Sequence, residues 1–329
     1  MKHTYNKIAV ALLSSLSMSA FAADVDIYGK ANLSLQSSDE GEGSFTEVKS
    51  NASRIGLKGT HDLGDGLTVI YKAEFQVDLD GDSAKGDSIT DRNQYVGLAG
   101  SFGEVLLGKN DTMLKQSQGK VDLFSDLNGD IKELWVGENR LADTISYKTS
   151  KFNGFQVGVT YIAEDDKYIK DSDDNIIGEP QDGVSVAIFY GDKKLKKSEF
   201  FASVAIDSDV KGQSKDKAVD KQTFDVVRAT VQGKVGGVVL GAIYHTQEGK
   251  DGSEMDGFLV SAKYKVDKVT FKGQYQTANH DGGDDKSGIT VGADYSLAKS
   301  TKVYTFYTSF DMDSGEDQDY LAAGIEYKF

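Results

Sequence analysis

Apolar and polar side chains alternate along most of the chain. In residues 67–77, for example, Leu67, Val69 and Tyr71 alternate with a mostly polar series that includes Lys72 and Glu74. Successive side chains of a strand point to opposite faces, so this pattern predicts β-strands with one apolar and one polar face. The pattern predicts sixteen strands: 25–35, 52–62, 67–77, 91–100, 104–109, 141–151, 155–164, 183–191, 198–207, 222–233, 237–247, 256–266, 269–279, 287–297, 301–312 and 319–329.

The connections between these strands alternate in length. Short links lie at 64–66, 101–103, 152–154, 233–236, 267–268 and 298–300; long polar segments lie at 36–51, 80–90, 110–140, 165–182, 208–221, 248–255, 280–286 and 313–318. A soluble sandwich has no reason to keep every second connection short, whereas an outer-membrane barrel has short periplasmic turns and long external loops. We therefore predict an all-β, 16-stranded antiparallel transmembrane β-barrel. A barrel of this size encloses water, which suits the polar inward positions.

Composition narrows the function classes further. The 329 residues include 16 Tyr and 16 Phe but no Cys. So many aromatic residues argue against disorder, and the lack of Cys excludes a disulfide scaffold, a Cys-ligated zinc site and a Cys nucleophile. No cofactor and no nucleic-acid partner are expected.

The first 22 residues have the pattern of a cleaved signal peptide. Lys2 and Lys7 precede the apolar segment 8–16, and the small-x-small triplet at 20–22 (AFA) follows it. A buried helix would explain neither the basic flank nor the triplet. Cleavage leaves 23–329 as one barrel domain and removes two lysines, so the net charge changes from −15 to −15 − 2 = −17.

The order of several short motifs resembles a known family. These are residues 25–30 (VDIYGK), 53–59 (SRIGLKG), 92–98 (RNQYVGL) and the C-terminal 327–329 (YKF). Together they resemble the trimeric general diffusion porins of Gram-negative outer membranes, over the whole mature chain. The resemblance implies a homotrimer in the cell outer membrane. It also implies that Tyr327 and Phe329 form the signal read by the barrel-assembly machinery.

Segment 110–140 is the longest connection and a candidate for folding into the barrel. Its acidic residues are Asp122, Asp126, Asp130 and Glu133. An external loop would leave its apolar residues exposed to water with nothing to pack against, whereas an inward loop could pack them on the barrel wall. These residues are Leu123, Phe124, Leu127, Leu134 and Trp135. An ordinary solvated external loop is the alternative. In the family that this chain resembles, the corresponding loop narrows the pore.

Strand alternation turns several cations towards the lumen, opposite this loop. By parity, Arg54 faces inward beside outward Ile55, and Arg140 and Lys148 face inward in their strand. Arg92 alternates in phase with the outward-facing Val96 and Leu98, so parity alone would turn it outward. A β-bulge or a subunit contact would resolve this conflict. The resemblance implies a basic wall at Lys30, Arg54, Arg92 and Lys148, to which we add Arg140. Unrelated wall charges in an aqueous lumen are the alternative.

These features predict a porin that lets small hydrophilic solutes and ions diffuse passively. The alternatives are a substrate-selective channel for oligosaccharides or phosphate, a barrel hydrolase, or a surface adhesin. His245 with Asp251, or His280 with Asp281, are the only candidate hydrolase pairs we find, and their spacing does not imply activation. No catalytic or metal site is therefore predicted. The acidic loop 164–182 would at most share divalent cations with lipopolysaccharide, which is an expected neighbour together with outer-membrane lipid.

Overall fold

The computed structural model describes residues 24–81, 88–163, 169–170, 176–178, 182–212, 222–313 and 315–329. Its strands are β1 Asp24–Asp39, β2 Ser44–Ser50, β3 Arg54–Gly64, β4 Leu67–Val77, β5 Ile89–Gly100, β6 Gly103–Asp111, β7 Arg140–Thr149, β8 Phe155–Ile162, β9 Ile169–Lys170, β10 Ile176–Gly178, β11 Gly183–Gly191, β12 Phe200–Lys211, β13 Thr223–Val235, β14 Val238–Gly249, β15 Glu254–Val266, β16 Val269–His280, β17 Lys286–Ser296, β18 Thr301–Met312 and β19 Gln318–Lys328. Between β6 and β7 lie a short helix, α1 Met113–Ser117, and a 3₁₀ turn, Ile131–Glu133. The predicted signal peptide lies outside the described residues.

All strands except β9 and β10 join one antiparallel sheet that closes on itself where β1 pairs with β19. The sheet has 17 strands, but β2 and β3 pair with successive parts of β1 and together form one strand of the wall, so the barrel has 17 − 1 = 16. The predicted 16-stranded antiparallel barrel is confirmed. Closure pairs the first strand with the last, so the sheet has no terminal edge strand, as spanning a bilayer with strands requires.

The barrel is apolar outside and polar inside. On β1, Leu35 is 59% exposed on the outer face, while Asn32, Ser34 and Gln36 are buried on the inner face. The period of two read from the sequence therefore describes the wall correctly. No helix in the described part of the chain is long and apolar enough to cross a membrane.

The two ends of the barrel differ. One end, here called the turn end, has links as short as 65–66, where Asp65 and Gly66 have φ of 50° and 75°, as a two-residue hairpin turn requires. The opposite loop end carries 78–88, 112–139 and 163–182. Connection length therefore alternates as predicted in these elements. The segments predicted to be long at 248–255, 280–286 and 313–318 instead hold connections of only four or five residues, at 250–253, 281–285 and 313–317.

The predicted long loop 36–51 is wrong. Instead, β1 continues to Asp39 and pairs with β2, which leaves only 40–43 as a connection. The period-two rule missed β2 because its apolar residues, Phe45 and Val48, are three positions apart. Asn51 then breaks the wall strand, and its Nδ2 donates to Ser34 Oγ at 2.9 Å and to Tyr304 Oη at 3.1 Å.

Candidate functional site in the barrel lumen

The segment 112–139, here called the lumen loop, folds into the barrel. Thr112 caps α1 by accepting a hydrogen bond from the Lys115 amide at 3.2 Å, and Asp130 caps the 3₁₀ turn through the Lys132 amide at 3.0 Å. These caps fix the local turns of a segment with little regular structure. The inward fold that its apolar residues suggested is what the structure shows.

Two apolar clusters attach the lumen loop to the inner wall. In one, Met113, Leu114 and Val136 pack with residues of β11 to β13. In the other, five loop residues pack with residues of β14 to β16, β18 and β19: Val121, Phe124, Ile131, Leu134 and Trp135. Each fully buried side chain of this kind contributes about 1.5–3 kcal/mol relative to exposure. The only large apolar core inside the barrel wall is therefore made with this loop, within the described residues.

Trp135 is the central contact of the second cluster. Its indole Nε1 donates to the Thr277 carbonyl at 2.7 Å, and its ring stacks on His245 with centroids 4.8 Å apart. Gly257 makes room for it, because a Cβ there would lie 2.8 Å from the indole nitrogen and 2.1 Å from the Thr277 carbonyl oxygen. Trp135 thus holds the loop on β14 to β16.

A buried ion pair lies beside this contact. Arg228 Nη1 is 2.6 Å from Glu138 Oε1, and Arg228 Nε donates to His245 Nδ1 at 3.3 Å. Burial raises the pKa of Glu138, and Arg228 and Lys115 only partly offset that effect. The pair is buried away from the lumen, and it helps to hold the loop on the wall.

The tip of the lumen loop meets the opposite part of the wall. Asp126 Oδ2 lies 2.8 Å from Lys30 Nζ and 2.8 Å from Arg54 Nη2. Burial alone would raise the pKa of Asp126, but Lys30 and Arg54 outweigh it and hold the pKa well below its usual range. Asp126 therefore stays ionised at neutral pH. Two of the predicted wall cations and one predicted loop acid come together here.

Arg92 faces the lumen through a bulge in β5. Ala73 pairs with Gln94 but Phe75 pairs with Asp91, so β5 has one extra residue and both Arg92 and Asn93 turn inward. Arg92 Nε donates to Glu74 Oε1 at 2.7 Å. The parity conflict in the sequence is resolved by the bulge.

Arg140 and Lys148 lie further along the wall, near the point where β6 leads into the lumen loop. Arg140 Nε is 2.9 Å from Asp111 Oδ1 and donates to Asn93 Oδ1 at 3.0 Å. Lys148 Nζ donates to Gln116 Oε1 at 2.6 Å. All five predicted cations face inward, but these two form a group separate from the Asp126 contact.

The other predicted loop acids are placed differently from Asp126. Asp122 accepts from the Phe124 and Ile131 amides at 2.9 and 3.4 Å, and Asp130 accepts from the Asp126 and Lys132 amides at 2.8 and 3.0 Å. Burial raises the pKa of both carboxyl groups. Both carboxylates bind the loop's own amides, and Asp130 also lines the gap described below, together with Asp126. Glu133 lies at the gap described below, half-buried.

Several charged residues of the lumen were missed from the sequence. Glu74 accepts hydrogen bonds from Tyr28 and Arg92 and lies 3.2 Å from Lys72 Nζ, so an acid belongs to the basic wall itself. The sequence could have shown this, because Glu74 alternates with the outward-facing Ala73 and Phe75 and so faces inward. Lys115, Lys120 and Lys132 are loop cations that line the same space as the acids.

A gap of about 560 Å³ remains between the lumen loop and the wall of β2 to β7. It is lined by charges of both signs, among them Arg54, Arg92 and Arg140 opposite Asp126 and Glu133. A second space, of about 230 Å³, also borders Asp111. A third space, of about 880 Å³, lies at the turn end and has four lining residues in common with the second: Glu104, Gln116, Lys148 and Lys193. The three spaces follow one another beside the loop, and charged side chains line each of them.

The histidines do not form the candidate hydrolase pairs considered from the sequence. His245 lies buried in β14 under Trp135, while Asp251 binds the Ser253 amide in the exposed turn 250–253. His280 Nδ1 contacts the Asp284 carbonyl oxygen at 2.7 Å. Within the described residues no group of three His, Asp or Glu side chains is arranged to hold a metal ion. Most of the acidic loop 164–182 lies outside the described residues.

Comparison with known proteins agrees with this architecture. The major outer membrane protein P.IB of Neisseria meningitidis is 30% identical over 176 residues, which covers 48% of this chain and 50% of that protein. The P.IA protein of the same species is 24% identical over 241 residues, 60% of each chain. The chain spans about half the length of the curated relatives that it matches first.

Among solved structures, the anion-selective porin from Comamonas acidovorans superposes with a TM-score of 0.77 at 21% identity, over 93% of this chain and 100% of that one. Salmonella typhi OmpF superposes with a TM-score of 0.71 at 20% identity, over 93% and 97%. The family model for Gram-negative porins matches residues 9–315. The chain therefore belongs to the Gram-negative porin family and is a protein of the cell outer membrane.

Proposed function

We propose that this protein forms a water-filled channel through which small hydrophilic solutes and ions diffuse passively across the outer membrane. The observation that carries the proposal is the charged gap between the lumen loop and the wall of β2 to β7. The loop is packed on one side of the lumen and leaves the other side open. Family membership points to a channel rather than an enzyme.

The opposed charges of the gap give the channel its selectivity. Lys30, Arg54, Arg92, Arg140 and Lys148 form the basic wall of the constriction, and Asp126 is the loop acid that faces it most directly. Charges on the two sides set up a transverse field that orients the water between them. Polar solutes exchange their contacts with this water at little cost, whereas an apolar solute must disrupt it. Charge balance and width then determine which ions pass.

The working form is a homotrimer, surrounded by outer-membrane lipid and lipopolysaccharide. The outer faces of the first strands are apolar at Val25, Ile27 and Ile55, as a subunit contact or a lipid contact requires. A solved structure of OmpT from Vibrio cholerae, with a TM-score of 0.67 to this chain, is described as a trimer form. The short turns face the periplasm and the long loops face outward.

Phe329 and Tyr327 are the assembly signal in this proposal. Both side chains are exposed on the outer face, and their rings lie 5.9 Å apart. Phe329 also closes the barrel, because its carbonyl accepts from the Gly29 amide at 3.0 Å. The barrel-assembly machinery would read this exposed aromatic terminus before closure hides its backbone.

Planar-bilayer recording tests the channel. Purified trimer should give ohmic steps in KCl, and the reversal potential in a KCl gradient should move towards cation selectivity in Arg54→Gln. A protein that inserts and folds but gives no steps would contradict the channel and favour an adhesin. Rapid permeation by one sugar, or by phosphate, with other solutes of the same size excluded would instead favour a substrate-selective channel.

A further inference from the structure

One connection at the turn end is unlike its neighbours. The link 192–199 between β11 and β12 contains four lysines, Lys193, Lys194, Lys196 and Lys197. Four other links at this end have two residues, at 65–66, 101–102, 236–237 and 267–268, and the remaining two have five and four, at 150–154 and 297–300. A hairpin here has no need of the extra residues, so the added length and charge call for a reason beyond chain reversal.

The link has a defined conformation. The Asp192 carboxylate accepts from the amides of Lys194, Lys196 and Lys197 at 2.9, 3.0 and 2.9 Å. These amides, with that of Lys194 first, lower the pKa of Asp192 to about 2. Leu195 takes a positive φ of 51° and packs against the apolar cluster of α1, β11 and β12 inside the barrel. The backbone of the link is thereby held across the mouth of the lumen.

The link borders the space of about 880 Å³ at the turn end, here called the turn vestibule. Six lysines line it, the four of the link with Lys148 and Lys151, against the two carboxylates of Glu104 and Asp192. The local charge is thus 6 − 2 = +4, in a chain whose net charge is −15. The vestibule is therefore positively charged, although the chain as a whole is negatively charged.

Most of this positive charge is not neutralised by the protein. Among the described residues, no carboxylate oxygen lies within 4 Å of the ammonium groups of the four link lysines, since no ion pair involves them. Lys151 donates to the Gly191 carbonyl at 2.7 Å and so adds another cation at the base of the link. Partial desolvation first, and then the neighbouring Lys148 and Lys120, lower the pKa of Lys193, which remains exposed. Like charges held this close favour an anion between them.

We infer that the turn vestibule is a binding site for small multivalent oxyanions, with inorganic phosphate as the representative, and that it collects anions at one mouth of the channel. The inference rests on the proposed function, because it assigns this site a place on the diffusion route. Ammonium groups suit such a ligand, since each offers three donors on a compact charge. Gln116 and Gln156, which also line the space, add amide donors. A monovalent chloride gains less from each of these contacts.

The test compares two pairs of turn-end lysines in planar bilayers. Lys193→Gln with Lys197→Gln removes two vestibule charges, whereas Lys268→Gln with Lys299→Gln removes two exposed charges from other turns of the same end. Phosphate is added to KCl at constant ionic strength, and the chloride conductance is recorded. Phosphate should reduce it at the same half-effective concentration in the wild type and the control pair. In the vestibule pair that concentration should rise about tenfold, as expected for losing two nearby charges in a confined space.

Each outcome bears on the inference. Equal phosphate sensitivity of all three proteins, or no sensitivity in the wild type, overturns it while the channel stands. A second pair, Lys194→Gln with Lys196→Gln, covers the case in which the first pair does not fold; it too should raise the half-effective concentration. Wild-type trimer that conducts in no electrolyte would instead refute the proposed channel, whatever phosphate does.

Discussion

The lumen loop meets the barrel through two charged contacts in contrasting surroundings. Glu138 and Arg228 lie 2.6 Å apart with side chains 8% and 0% exposed. Asp126 lies 2.8 Å from both Lys30 and Arg54, and its side chain is 26% exposed at the edge of the gap. One segment of 28 residues, counted from 112 to 139, therefore forms one contact that is sealed and one that borders water.

The comparison teaches that burial decides what a charge pair does. A sealed pair that loses one partner leaves a charge without water or counter-ion, so it acts on stability. A pair beside water keeps solvation when a partner is lost, so its removal changes the local field more than the fold. Sequence alone assigns the same formal charges to both pairs.

The largest expected effect is on the sealed pair. Arg228→Ala leaves Glu138 buried without its partner, which typically costs about 3–5 kcal/mol. Trp135 is the only tryptophan in the chain and is 2% exposed, so its emission reports loop docking directly. We expect a red-shifted emission and faster proteolysis within 112–139, with the barrel still formed.

Arg54→Ala is the matched control for this variant. It also removes one arginine that faces the lumen loop, but from the pair beside the gap, where Lys30 still binds Asp126. Its Trp135 emission should match the wild type. An equal red shift in both variants would mean that the two contacts do not differ in the way proposed.

The next effect is steric and acts on the sealed side alone. Gly257→Ala places a Cβ 2.1 Å from the Thr277 carbonyl oxygen to which Trp135 donates and 2.8 Å from the indole nitrogen, whereas Gly273→Ala, in the adjacent strand, meets nothing within 4 Å. Overpacking of this kind costs typically about 1–3 kcal/mol. Thermal unfolding followed by Trp135 emission should show a lower midpoint for Gly257→Ala only. A lowered midpoint for both variants would point to a general strand effect.

A smaller effect, on selectivity, separates Asp126 from Asp122. Asp126→Asn removes the charge beside Lys30 and Arg54, so the reversal potential in a KCl gradient should move towards anions. Asp122→Asn removes a charge that faces the Phe124 and Ile131 amides, and should leave the reversal potential near that of the wild type. The reverse ranking would show that the gap lies on the Asp122 side of the loop.

Strand parity in the sequence was enough to predict the barrel and which residues of the wall face inward. It also predicted an inward loop, because Trp135 and Phe124 need an apolar partner. Parity failed at β2, where the apolar spacing is irregular, and gave only a conflict at Arg92, where the bulge reverses the face. Nothing in the spacing of Asp122, Asp126 and Asp130 distinguishes an acid that binds loop amides from one that binds wall cations. That difference depends on where backbone amides point, which the sequence does not display.

The smallest effect is on the pH dependence of stability. As the pH falls, the contribution of Glu138 to stability increases, whereas that of Asp126 decreases. Burial raises the pKa of Glu138, so the folded protein binds a proton there more readily than the unfolded chain does. Its contribution to stability therefore increases as the pH falls from 7 towards the usual Glu value of about 4.3. The pKa of Asp126 is lowered by Lys30 and Arg54, so its contribution is complete above about pH 4 and is lost only as the pH falls further.

Urea unfolding followed by Trp135 emission at about pH 7, 5 and 3 would separate the contributions of Glu138 and Asp126 to stability. Stability should be as high at pH 5 as at pH 7, or slightly higher, because Asp122 and Asp130 have raised pKa values like Glu138. It should decrease between pH 5 and pH 3. In Asp126→Asn this acid-side decrease should be smaller, since the variant has already lost the charge that acid would neutralise. An unchanged decrease in that variant would show that the contact beside the gap contributes nothing to docking, and that the sealed contact alone holds the lumen loop.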